Sequence, residues 1–181
     1  TETQIGSLEA TQFAGLRATQ IAAMDTTQIR AMTTTDIASL SAAQIQGLLR
    51  VQIRALTTPQ IAALTETQIA SLDTSQVVNL TTTMLALLSS SQLGALTSTQ
   101  IGGLSSQQLN SLSPSVMGSF TANQIAGLTT TQISSLSTTA ISGLTTTGIE
   151  ALNGNQIAAF TQPQLASMTP EQLAALQSAI S

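Results

Sequence analysis

The sequence predicts an all-α fold: a solenoid or superhelix of about twenty-two very short capped helices, one per eight-residue repeat, forming a single domain over residues 1–181. Three observations predict it. An eight-residue phrase recurs without a slip from Thr3-Gln-Ile-Gly-Ser-Leu-Glu-Ala10 to Glu171-Gln-Leu-Ala-Ala-Leu-Gln-Ser178, and a short fixed period marks an array that grows in one dimension. Two positions of the phrase, the third and the sixth, are always apolar. The seventh is nearly always a residue that starts helices.

With the eight positions numbered from Thr3, position three runs Ile5, Phe13, Ile21, Ile29 and on to Leu173, and position six runs Leu8, Leu16, Met24, Met32 and on to Leu176. The spacing therefore alternates between three and five. An uninterrupted helix advances about 100° per residue, so eight residues overshoot two turns by about 80° and the apolar stripe would spiral away. A strand fails because residues three apart face opposite ways. The chain must break once in every repeat.

Position seven supplies the break. It is Ser, Thr, Asp or Asn in every repeat except those with Glu9, Arg17, Leu49 and Gln177. Three residues later, position two is Gln except at Asp36, Met84, Val116, Ala140 and Gly148. Thr65-Glu-Thr-Gln68 and Thr129-Thr-Thr-Gln132 thus have the form of capping boxes, in which the hydroxyl accepts the N3 amide hydrogen and the glutamine reaches back to the cap amide. The prolines agree. Pro114 and Pro170 fall on N1, and Pro59 and Pro163 on N2, where the missing amide hydrogen has no helical partner anyway.

Each repeat is then a helix from position eight to position six, under two turns long. Such a helix is unstable alone and must lean on its neighbours. On the wheel, position six lies about 60° to one side of position three, with positions two and five about 100° and 160° away on the same side, so that sector faces inward. Position five is Ala, Ser or Gly everywhere except Asn79 and Leu87. Most of the eleven glycines sit at positions four or five, which points to close approach of helix backbones.

Some repeats depart from the pattern. Leu49 offers no cap oxygen, which predicts one continuous helix over Gln44 to Leu56 with Arg50 and Arg54 on a shared face. Met84, Leu85, Leu87 and Leu88 form a greasier repeat, as do Val116, Met117 and Phe120; both fit local core filling. Phe13, Phe120 and Phe160 all occupy core positions, so none is a stacking platform.

Composition bears on function. The net charge is −4, the four basic residues are all Arg, and no basic cluster of the kind that neutralises phosphates is present, which argues against nucleic acid. The chain has no Cys or His and no Lys, Tyr or Trp, and its Ser and Thr have no base to activate them. The carboxylates are scattered, so neither an acid–base pair nor a calcium loop is visible. We therefore expect no enzyme activity, no catalytic or cofactor-binding residue, no cofactor and no metal site. Met84-Leu-Ala-Leu-Leu88 is far too short to cross a bilayer, so no membrane insertion is expected. Asn153-Gly-Asn155 reads as a cap, and Asn79-Leu-Thr81 matches a glycosylation sequon at a packed position. Positions seven, eight and one place rows of hydroxyls outward, as in Thr33-Thr-Thr35 and Thr145-Thr-Thr147, a surface that could bind ice, mineral or polysaccharide. There is no starting Met, and both ends lie within the pattern, so we expect an excerpt of a longer array.

Phrases such as Leu128-Thr-Thr-Thr-Gln-Ile133 and Leu56-Thr-Thr-Pro-Gln-Ile-Ala-Ala-Leu64 resemble the Thr/Gln/Ile/Ala/Leu octapeptide arrays of very large bacterial proteins described as secreted, adhesin-like or haemagglutinin-like. The resemblance covers nearly the whole chain. It implies an extracellular or cell-surface location and a spacer, stalk or adhesive role. Met168-Thr-Pro-Glu-Gln-Leu-Ala-Ala-Leu176 also looks like the opening of a TAL-effector repeat, but the unit here is far shorter and the basic charge is missing. The leading expectation is a structural repeat segment of a large exported bacterial protein. The alternatives are a filament subunit that self-associates through uncapped ends and a binding module using the hydroxyl face. The partners expected in every case are neighbouring repeats of the same array.

Overall fold

A computed structural model of the chain describes residues 2–180, and every regular element among them is an α-helix. The helices fall into two compact units. In the unit Thr1–Ala95 they are α1 Glu2–Gly6, α2 Ala10–Ala14, α3 Ala18–Ala22, α4 Thr26–Ala31, α5 Thr34–Ser39, α6 Ala42–Gln46, α7 Arg50–Ile53, α8 Thr58–Ala62, α9 Glu66–Ser71, α10 Thr74–Val78, α11 Thr82–Leu87 and α12 Ser90–Gly94. In the unit Leu96–Ser181 they are α13 Ser98–Gly103, α14 Ser106–Asn110, α15 Pro114–Ser119, α16 Ala122–Ala126, α17 Thr130–Ser135, α18 Thr138–Ser142, α19 Thr146–Glu150, α20 Gly154–Ala158, α21 Gln162–Ser167 and α22 Pro170–Ile180. The repeat solenoid read from the period is the architecture found within each unit.

The helices start where the caps predict and stop slightly earlier than position six. Position six turns extended, as at Leu40 (φ −63°, ψ 134°), and position seven is extended too, as at Thr33 (φ −76°, ψ 166°). Position six still closes the preceding turn: the Leu40 amide donates to Ile37 O at 3.2 Å, a tightened i→i−3 bond of the kind that finishes helices. No described residue has a positive φ, so the corner is made without any left-handed residue. All four prolines sit in a first turn, at N1 of α15 and α22 and at N2 of α8 and α21.

The continuous helix expected over Gln44 to Leu56 does not form. Instead α6 ends at Gln46, Leu49 is extended (φ −73°, ψ 156°), and α7 starts at Arg50. The reason is Gln52, whose Oε1 accepts the Leu49 amide hydrogen at 2.7 Å while its Nε2 is tied to an earlier turn. Glu9 and Arg17, which also lack a bonded cap side chain, are held through Oε1 of Gln12 and Gln20 alone. Conversely, the helices at Val116, Ala140 and Gly148 have no glutamine and are started by the hydroxyls of Ser113, Ser137 and Thr145. Either half of the box is enough. At Gln177 both halves are missing, since the side chain is no cap and the residue three further on is Ile180; there the helix runs unbroken from Pro170 to Ile180.

Within each unit, every helix packs against the helix three before it and the helix three after it, from α1 against α4 to α9 against α12 and from α13 against α16 to α19 against α22. Three repeats therefore make about one turn of the solenoid, a number that the eight-residue period does not contain. The core is the column of position-three and position-six side chains. Phe13, Ile21, Ile29, Ile45, Ile69, Ile101, Ile125, Ile133 and Ile149 are fully enclosed, and Phe120 and Phe160 are buried as expected. Met84 and Met117 join that core, and Leu87 is half-buried at its edge.

Candidate functional site

The side chain repeated in nearly every unit that carries the most polar chemistry is the position-two glutamine. It is buried from Gln44 onward wherever it occurs, with Gln52 at 1 % exposure. Its carbonyl oxygen performs the capping role, accepting the amide hydrogen three residues back, at 2.9 Å from Thr65 and 2.7 Å from Thr129. Its amide nitrogen does something the cap does not need. Gln68 Nε2 donates to Ile37 O and Leu40 O at 2.7 Å each, 31 and 28 residues back. Gln60 reaches Ile29 O and Met32 O, Gln132 reaches Ile101 O and Leu104 O, and Gln172 reaches Ile141 O and Leu144 O in the same register. Each of these four glutamines thus starts its own helix and closes the end of the helix four places earlier. The described residues contain no buried side-chain nitrogen or oxygen without a partner.

Two further contacts set the spacing of successive turns. Position five lies over position eight of the helix three earlier: a Cβ on Gly127 would run into the Ser98 backbone, 2.7 Å from its Cα, and one on Gly143 would lie 2.7 Å from Pro114 Cα. Gly127 has an ordinary helical φ of −75°, so lack of space, and not backbone freedom, is what calls for glycine. Gly94 and Gly154 have nothing within 4 Å, so close approach explains only some of the glycines. Position four, on the outer side, bonds forward by 25 residues. Arg30 Nε donates to Ala55 O, Gln46 Nε2 to Ser71 O and Asn110 Nδ2 to Ser135 O.

The outer face carries what remains. Thr34, Thr35, Thr58, Thr67, Thr99, Thr146 and Thr147 are exposed, while position-seven hydroxyls such as those of Thr33, Ser41 and Thr129 accept amide hydrogens at the helix starts. Arg50 and Arg54 both stay exposed at opposite ends of α7, beside Leu49 and Val51, which are about half exposed. Asn79 is half-buried and donates to Ser75 O, so the sequon asparagine is engaged in its own helix end. Asn153 caps α20, accepting from the Gln156 amide at 3.1 Å.

Asp25 and Asp73 are the two carboxylate caps, and both are held below the usual aspartate range. For Asp25 the main cause is the hydrogen bond from the Thr27 hydroxyl, followed by that from the Gln28 amide; for Asp73 it is the Ser75 hydroxyl. No described helix is long and apolar enough to cross a membrane, and no described group of three or more His, Cys, Asp or Glu could hold a metal ion.

The oxygen half of each glutamine's role is legible in the capping-box pattern, and the nitrogen half was not read from it. The signal was present: the wheel placed position two on the inward sector, where an amide must find partners on another turn.

Residues 50–82 and 69–106 match the family described as the ALTTAQ repeat. Together these stretches run from residue 50 to residue 106 and support a tandem repeat array. No curated protein matches the chain.

Proposed function

We propose that this chain is a structural repeat segment, a spacer or stalk within a large exported bacterial protein, whose task is to hold other regions apart. The observation that carries the proposal is where the recurring polar side chain goes. The glutamine amide, repeated almost every eight residues, is turned inward and bonded to the chain 28 and 31 residues back. Its chemistry is used to add turn upon turn. The ALTTAQ match supports a structural repeat protein. Location at the cell surface rests on the resemblance of the Thr/Gln/Ile/Ala/Leu phrases to exported arrays.

The test is mechanical. Chains with twelve, eighteen and twenty-four repeats, measured by small-angle scattering, should gain maximum dimension in equal steps per three repeats added. A dimension that stops growing while mass increases would remove the spacer reading. Surface labelling of cells that express the full-length protein checks export; a protected, intracellular array would remove that part.

A further inference from the structure

Inside the first unit, one repeat departs from the phrase at every outward position. Positions seven, eight, one and four, elsewhere mostly Ser, Thr, Ala or Gly, are Leu49, Arg50, Val51 and Arg54 on and beside α7. Position four lies about 40° from position eight and about 60° from position one, so Arg50, Val51 and Arg54 share the outer face of this helix, with Leu49 at its corner. All are exposed, Leu49 by 51 % and Val51 by 55 %. The turns on either side extend the patch. Arg30 of α4 and Val78 of α10 hold position four in the same column, where Ala or Gly is usual, and both are exposed. Arg30 Nε donates to Ala55 O at 3.2 Å, which holds it against the end of α7 that carries Arg54. Among the described residues, the exposed large apolar side chains outside α22 are Leu49, Val51 and Val78, all on this face. Because α7 packs between α4 and α10, and α4 between α1 and α7, no end of the chain lays the face open.

Fold stability does not account for these residues. A threonine at position 49 would cap α7, whereas a leucine left half in water gives up the cap and gains little from burial. The aspartates that hold the equivalent place on α4 and α10 are taken up by their own helix starts, Asp25 accepting from the Thr27 and Gln28 amides and Asp73 from the Ser75 hydroxyl and the Gln76 amide. We propose that this face docks an acidic peptide segment of a partner protein. The carboxylates of the segment pair with the guanidinium groups of Arg30, Arg50 and Arg54, and its apolar side chains lie on Leu49, Val51 and Val78. A guanidinium is a planar fork that fits a carboxylate with two parallel hydrogen bonds and is less strongly hydrated than an ammonium, so it suits a contact that also buries apolar surface. A nucleic acid backbone would leave the apolar half of the face unmatched, and an anionic bilayer calls for a longer basic run. The inference does not depend on the spacer reading, which concerns length per repeat.

Fluorescence anisotropy tests it, with a short labelled peptide in which Glu alternates with Leu as the probe. The chain should bind this probe at least tenfold more tightly than the same peptide with Lys in place of Glu or with Ser in place of Leu, and binding should weaken as salt is raised. Arg50→Glu with Arg54→Glu should weaken binding at least tenfold. Leu49→Thr with Val51→Thr should do the same from the apolar half. That second pair puts the residue usual at each position into an exposed site, so its thermal melt should not fall below that of the parent. No binding of the Glu/Leu probe, equal binding of the acidic and basic peptides, binding unaltered by either pair of substitutions, or tighter binding to single-stranded DNA or phosphatidylserine vesicles would overturn the proposal.

Discussion

A glutamine buried in an apolar core is costly unless all of its hydrogen-bonding groups are met, and here one side chain meets two separate needs of the backbone. Removing it leaves a cap amide hydrogen and two carbonyl contacts unserved. Gln68→Ala should therefore cost about 2–4 kcal/mol, read from chemical denaturation. The reverse change is instructive at Ala140, which is 1 % exposed and occupies a glutamine position. Ala140→Gln would place an amide within the register of Leu109 O and Leu112 O while Ser137 continues to cap, and we expect a gain of about 1–2 kcal/mol. A melting temperature no higher than that of the parent would refute the register. Glycine separates in the same way. Gly127→Ala should destabilise by about 1–3 kcal/mol because the Ser98 backbone cannot yield, while Gly94→Ala, in open space at the end of α12, should stabilise by about 0.5–1 kcal/mol. The cap aspartates add a pH dependence. Their carboxyl pKa values are lower in the folded chain than in the unfolded one, so their stabilisation is complete above the ordinary carboxylate range and is lost as pH falls through the lowered values. Asp25→Asn with Asp73→Asn should flatten the acid limb of the melting curve by lowering stability at neutral pH towards its acid value.

Each short helix is held by one rule with two sufficient parts, a cap hydroxyl or a reaching glutamine. The rule was only half legible in advance. The expectation of one helix over Gln44 to Leu56 weighed the missing cap at Leu49 and gave no weight to Gln52, because the tertiary bonds of that glutamine to Ile21, Ala22 and Met24 cannot be read from local sequence. The rule makes a sharp prediction at α7. Gln52→Ala removes the side-chain hold on the Leu49 amide and should cost more than Gln68→Ala, where Thr65 still caps. Adding Leu49→Thr should recover part of the loss; a double variant no more stable than Gln52→Ala would show that the two halves are not interchangeable.

Within each unit, stability passes from turn to turn, because each helix packs on the helices three before and three after it and the glutamine bonds span 28 to 31 residues. Protection from hydrogen exchange should follow this pattern. It should be lower in α2 to α4, whose Gln12, Gln20 and Gln28 donate to no earlier carbonyl among the described residues, and higher in α6 to α9, whose glutamines do; uniform protection across these helices would contradict it. What the sequence alone determined was the break in every repeat, the helix between breaks and the inward column of positions three and six. These follow from rotation per residue and from the chemistry of caps, both local. What only the tertiary structure decided was three helices per turn and the second bond of each glutamine. Both depend on which distant backbone carbonyl comes to lie beside a given side chain, and an eight-residue period repeats identically whether the next turn lies two, three or four helices away.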